Sequence, residues 1–235
     1  MVDIEVYGEI GEDYFSPSNM TAAKFSKALK EAGGEDVTVH VNSPGGSVFD
    51  ANAMAEQIRA YSGHVTAKIE GLAASAASYF ALTANKVVMG KSALMMIHNP
   101  STYCIGGAED MRKTADFLEK VRDTITVQYA DKSGISRGEI EELMDAETWF
   151  TAEDALERGF VDEVADGAPV TACITNDWLK TFKNAPADLK QAAAGDAGKT
   201  IHPSNSKQPD TGAVSAGAGA APKRTVCVNG QFINY

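Results

Sequence analysis

Three segments of the chain carry a serine, a histidine and carboxylates in that order: Gly71-Leu72-Ala73-Ala74-Ser75-Ala76, Met95-Met96-Ile97-His98-Asn99-Pro100, and Asp145-Ala146-Glu147-Thr148-Trp149-Phe150. A serine hydroxyl is a weak nucleophile until a base takes its proton, and an imidazole that titrates near neutrality is the usual base. A carboxylate then holds the imidazole in its productive tautomer. Upstream, Asn42-Ser43-Pro44-Gly45-Gly46-Ser47 supplies backbone N–H groups that no side chain obstructs. The Gly46 and Ala76 amides together would make a two-donor oxyanion hole. These residue types predict acyl-transfer chemistry on Ser75, with His98 as base and either Glu147 or Asp145 as the third member.

Each part also has an ordinary explanation. Small residues around Ser75 let a helix pack closely, Pro-Gly is common in strand-to-helix turns, and a histidine at a strand end is more often a bystander. Glu147 and Asp145 could belong to a solvated acidic cluster with Glu141 and Glu142. The concurrence of all four in one order favours the chemical reading. His40, His64 and His202 lack the same combination of strand end, turn and partner. Gly90-Lys91-Ser92 resembles the end of a phosphate loop but lacks its earlier glycine, position 85 being Asn. Cys104 lies six residues after His98 without oxyanion donors around it. Lys68, Lys86 and Lys91 are candidate bases for a Ser-Lys dyad, a variant that the Ile-His-Asn-Pro segment makes less attractive.

The elements that must position these residues alternate. A strand is expected over 2–10, a helix from Thr21 to the Gly33-Gly34 stop, and a strand over 36–41 running into the glycine turn. A helix over 48–62, a strand over 64–69, a turn at Gly71-Leu72 and a short helix from Ser75 follow. Strands over 86–89 and 93–97 then lead to a long polar helix over 108–132. Ser136-Arg137-Gly138-Glu139 has capping-box spacing, Thr151 starts another helix, and a strand is expected over 160–164. Right-handed crossovers between parallel strands bring both catalytic turns to one sheet edge, which predicts an α/β fold. After about 165 the composition changes, with Ala, Gly, Pro, Ser and Asp dominating from Ala185 to Pro222, a stretch that reads as a flexible linker. An Asn229-Gly230 pair between apolar positions in 225–233 signals a terminal hairpin.

The 235 residues suffice for one enzyme-sized domain, and a formal charge of −11 disfavours a nucleic-acid partner. Three scattered cysteines offer neither a disulfide framework nor a zinc pair. No His-Glu-x-x-His cluster calls for a metal, and no cofactor motif stands out, so neither metal nor cofactor is expected. No stretch is long and apolar enough for a membrane span, and the opening strand follows no apolar secretory core, so a cytoplasmic location is expected.

Ser43-Pro44-Gly45-Gly46-Ser47, Ala73-Ala74-Ser75-Ala76, Met96-Ile97-His98-Asn99-Pro100 and the 151–162 ending Thr-Ala-Glu-Asp-Ala-Leu-Glu-Arg-Gly-Phe-Val-Asp resemble the proteolytic subunit of Clp proteases. The resemblance runs over about 2–165 and implies a ClpP/crotonase-like fold of repeated ββα units, a protease domain at 1–168 and a C-terminal extension at 169–235. It makes Ser75 the nucleophile, His98 the general base, and Gly46 and Ala76 the oxyanion-hole amides. Glu147 stands where the family usually has aspartate, with Asp145 in reserve. The resemblance further implies a homo-oligomer of stacked rings acting on protein or peptide substrates, and an unfoldase ATPase as candidate partner. The Glu-Thr-Trp segment and the Ala/Gly-rich extension look more like the phage-encoded branch, whose head-maturation proteases act on scaffold and capsid proteins in the host cytoplasm or prohead. The competing expectations are a crotonase-like acyl-CoA enzyme and a non-catalytic assembly protein.

Overall fold

The computed structural model describes residues 1–12, 19–166, 182–187, 225–228 and 231–234. The chain forms two compact units, Met1–Pro203 and Ser204–Tyr235. In the second, strands β8 (Thr225–Val228) and β9 (Gln231–Asn234) pair antiparallel. All else below concerns the first.

Its sheet runs β1 (Val2–Tyr7), β2 (Val37–Ser43), β3 (Val65–Ala74), β4 (Lys86–Gly90) and β7 (Glu163–Ala165), all parallel; β5 (Leu94–Ile97) also pairs parallel to β3, and β6 (Thr148–Phe150) runs antiparallel to β5. The alternating valines of β2, Val37, Val39 and Val41, are buried, as strand periodicity requires. Helices α1 (Ala22–Ala32), α2 (Val48–Ala60) and the short α3 (Ala76–Ala81) provide the crossovers of this parallel core. Phe25 of α1 meets Phe80 of α3 edge-on at 5.3 Å between centroids, both fully buried. The remaining helices are α4 (Ala108–Ser133), α5 (Arg137–Asp145) and α6 (Ala152–Glu157).

Side-chain caps set several helix starts: the Thr21, Ser47, Ser136 and Thr151 hydroxyls accept from the N–H groups of Lys24, Asp50, Glu139 and Asp154. Glycines 33 and 134 adopt the left-handed conformation that closes α1 and α4. Of the 26 residues of α4 only Ile125, Thr126 and Tyr129 are buried, so this long helix touches the core along a short stretch of its length. Among the described residues no helix is long and apolar enough to cross a membrane.

Two local expectations are corrected, and one strand is added. Gly71-Leu72 is no turn, because β3 continues to Ala74 by exchanging partners: Thr66 to Ile69 pair with β4, and Leu72 to Ala74 pair with β5. The last strand lies at Glu163–Ala165 rather than 160–164, since Phe160 and Val161 are drawn inward as buried core residues and their N–H groups bond back to Ala155 O. β6 is a strand the sequence pattern did not signal, three residues long and sustained by its antiparallel pairing with Met95, Met96 and Ile97. The exchange within β3 is what matters for chemistry, since it carries the strand past β4 and delivers Ser75 beside the end of β5.

Candidate active site

Ser75 sits between the last residue of β3 and the first of α3 with φ 54° and ψ −126°, a positive-φ conformation unusual for a residue with a Cβ. The surrounding bonds impose it. Ser75 N donates to Met96 O at 2.9 Å, which extends the β3–β5 ladder, while Ser75 O accepts from the N–H groups of Ser78 and Tyr79. The Ser78 hydroxyl lies 2.8 Å from Ser75 O, 3.0 Å from Met96 O and 2.8 Å from the Tyr129 hydroxyl. Carbonyls only accept, so Ser78 spends its one proton on them and Tyr129 donates to Ser78. Burial pushes the Tyr129 hydroxyl well above the ordinary phenol range and keeps it a donor. Tyr129→Phe should therefore cost about 0.5–1.5 kcal/mol, read in a denaturant titration, as one buried hydrogen bond is lost while Ser78 keeps its carbonyl partners.

His98 follows β5 by one residue, and its Nε2 lies 2.7 Å from Ser75 Oγ. The imidazole pKa is lowered, by burial first; the Glu147 charge opposes this and the Lys183 charge adds to it. The neutral ring can accept the serine proton, which is the arrangement that activates a hydroxyl. Because the pKa lies below the usual histidine value, the base form persists further into acid. The acid limb of Ser75 acylation by an active-site probe is expected below about pH 6.5, the ordinary histidine value. A limb at or above that value would contradict the burial assigned to His98.

Gly45 and Gly46 face this serine turn. A parallel bridge joins Ile10 to Gly46 through Ile10 N–H to Gly45 O, 2.8 Å, and Ser47 N–H to Ile10 O, 2.7 Å, so the Gly46 N–H takes no part in it. Gly45 approaches so closely that a Cβ on it would lie 2.9 Å from Ala76 N and 2.9 Å from Ser75 Cβ. The two candidate oxyanion amides therefore belong to turns in direct contact. Ser75 and His98 open onto a cleft whose other walls include Val48, Tyr79, Pro100, Ile125 and Tyr129.

The two carboxylates have separate surroundings. Asp145, at the end of α5, accepts from Asn99 Nδ2 at 2.7 Å and pairs with Arg122 at 3.2 Å. Glu147 is only 8% exposed, has φ 49°, and is the carboxylate whose charge bears on His98. Among the described residues its hydrogen-bond partners are the N–H groups of Lys183 and Asn184, at 2.9 and 2.7 Å, and the Trp149 indole at 3.5 Å. Phe182 stands edge-on to both His98 and Trp149, at 6.0 and 5.5 Å. Sequence reasoning missed residues 182–184. An aromatic ahead of the Ala/Gly-rich run was the only signal, and backbone donors leave none. Of the other lysines, Lys68 pairs with Glu70 and Lys86 with Glu163. Cys104 Sγ lies 3.1 Å from the Thr114 hydroxyl, which donates to Asp110 O at 2.9 Å.

A family model described as Clp protease matches residues 6–168. The chain belongs to the Clp protease family. It is 35% identical over 136 residues to the ATP-dependent Clp protease proteolytic subunit of Bacteroides fragilis, covering 56% of this chain and 64% of that protein. It is also 35% identical over 136 residues to proteolytic subunit 2 of Thermobifida fusca, covering 57% and 67%, and 36% identical over 131 residues to subunit 3 of Streptomyces coelicolor, covering 55% and 60%. The chain thus spans about two thirds or less of these relatives. The matched span contains Gly46, Ser75, Ala76, His98, Asp145 and Glu147, and stops short of residues 182–184.

Proposed function

We propose that this protein is a serine endopeptidase in which Ser75 is the nucleophile, His98 the general base and Glu147 the third member of the triad. The observation that carries this reading is the 2.7 Å contact between Ser75 Oγ and His98 Nε2 at a strained turn. His98 takes the serine proton as Oγ attacks the scissile carbonyl, and the Gly46 and Ala76 amides receive the oxyanion. The tetrahedral intermediate collapses by releasing the amine, which His98 protonates; water then attacks the acyl-enzyme, giving its proton to the same imidazole, and the acid leaves as Ser75 is regenerated. Glu147 stabilises the imidazolium that forms in both halves.

In this reading residues 1–168 are the protease domain and 169–235 an extension. The protein works as a homo-oligomer, in stacked rings, in the cytoplasm or a phage prohead. The names of the relatives, proteolytic subunits of an ATP-dependent protease, support assembly and an unfoldase ATPase as partner. The extension supports phage scaffold or capsid proteins as substrates.

The test is intact-mass analysis of the full chain and of Ser75→Ala after incubation with a fluorophosphonate, alongside size-exclusion chromatography and a fluorogenic peptide. One adduct on the wild type alone, in a large assembly that cleaves the peptide, is expected. An assembled particle that takes no adduct and cleaves nothing would leave the assembly role and remove the enzymatic one.

A further inference from the structure

Glu147 poses a positioning problem. It has one methylene more than aspartate, hence an additional rotatable bond, and among the described residues of 6–168 the hydrogen bond to its carboxylate is an indole N–H at the long distance of 3.5 Å. The firm contacts come from further along the chain. Lys183 N–H donates to Oε2 at 2.9 Å and Asn184 N–H to Oε1 at 2.7 Å, so each oxygen has its own donor and the carboxylate plane is set. This short segment is itself anchored. Asn184 Nδ2 donates to Ala146 O at 2.8 Å, and Phe182 and Ala185 are buried with Leu72, Ala74 and Met96 in a satellite core that Leu94 and Trp149 flank. Phe182 also lies T-shaped to the His98 ring, 6.0 Å between centroids.

We propose that residues 182–184 are a positioning element of the catalytic triad: the Lys183 and Asn184 amides hold the Glu147 carboxylate beside His98, while Phe182 shields the imidazole from water. The inference rests on the protease reading above but adds to it a part that lies outside the family's matched region. It also gives the glutamate a physical rationale, since two fixed amide donors restrict the longer side chain. Among the described residues, the charged groups bearing on His98 are Glu147 from the α5–β6 turn and Lys183 from the segment itself. Ser75 from the β3–α3 turn is its hydrogen-bond partner, and the nearby Tyr129 hydroxyl of α4 is committed to Ser78. Burial is the largest influence on the ring, and Phe182 is an aromatic neighbour of it, 6.0 Å between centroids.

In the full chain, Asn184→Pro removes the amide donor to Glu147 together with the Nδ2 bond to Ala146 O, so it is compared with Asn184→Ala, which loses only the latter and should keep kcat near wild type. For Asn184→Pro, peptide-cleavage kcat should fall about tenfold or more, the equivalent of one charge-assisted hydrogen bond, with KM within about twofold. In a Glu147→Ala background the proline change should have no further effect, because the segment acts through that carboxylate. Losses that multiply, or an Asn184→Pro chain that keeps wild-type kcat, would overturn the proposal. Should Asn184→Pro melt early, Phe182→Ala decides: with water admitted to the ring, the histidine pKa rises and the acid limb of kcat/KM moves to higher pH. An unmoved limb counts against it. The His98 pKa followed by NMR, assigned against His98→Gln, should show the same rise without any catalysis. A wild type with neither adduct nor cleavage would sink the protease reading alone, while a fully active wild type indifferent to both changes would sink only this one.

Discussion

Replacing Ser75 by alanine is expected to lower peptide cleavage by about 10⁴-fold or more and to abolish fluorophosphonate labelling, while secondary structure and assembly stay as they are. The hydroxyl makes its hydrogen bond to His98 Nε2, so its loss removes a nucleophile and leaves no orphaned partner in the hydrophobic core. Ser75→Gly should be equally inactive but more stable than Ser75→Ala. The φ of 54° with ψ of −126° costs a residue with a Cβ on the order of 1–3 kcal/mol, and glycine adopts it freely at an entropic cost of about 0.5–1 kcal/mol. A gain near 1 kcal/mol over the alanine variant is the expected balance, read as a denaturation midpoint. Equal midpoints would mean that the turn stores no strain. Cleavage in either variant at about a hundredth of the wild-type rate or more would remove Ser75 from the mechanism.

The strain helps explain which parts of the molecule its sequence discloses. Helix starts were legible where Thr21, Ser136 and Thr151 announce themselves chemically, and each accepts the hydrogen bond its type predicts. The sheet was legible through valine alternation in β2. The continuation of β3 through Gly71-Leu72 was not, because glycine reads as a turn unless one knows that the strand is changing partners there. β6 escaped notice for a related reason, since three residues show no period and the pairing with β5 sustains them.

In the site, chain order exposed Ser75 and His98, and the structure places them in contact across 23 positions. The choice between Asp145 and Glu147 could not be read, since two acidic residues two positions apart are chemically equivalent on paper. Their surroundings differ: Asp145 is engaged by Asn99 and Arg122, whereas Glu147 is buried, bears on His98 and is held by the 182–184 segment. The difference includes backbone amides, and any residue except proline supplies one.

Gly46→Ala should strike both stability and catalysis. A Cβ there would lie 2.2 Å from Ile10 O, a backbone atom fixed by the bridge to Gly45 and Ser47, and the φ of 139° is hostile to any side chain. Since no rotamer change can relieve the clash, the bridge must open. A loss of about 2–4 kcal/mol is expected, together with a fall in kcat of at least about 100-fold as an oxyanion donor moves away. Gly45→Ala presses on the other turn, with its Cβ 2.7 Å from Ala74 O and 2.9 Å from Ser75 Cβ, so it should displace the nucleophile itself. Gly138→Ala is the control: it lies in α5 with open space around it, and should gain up to about 1 kcal/mol of helix stability with activity intact. Denaturation and cleavage measured on the three variants separate the roles of the two turns. If Gly46→Ala folds at the wild-type midpoint and cleaves at the wild-type rate, the 45–46 turn is a connection and the oxyanion must be held elsewhere. If it keeps its midpoint and loses only kcat, the Ile10 bridge is dispensable for folding and the turn is there for its amide.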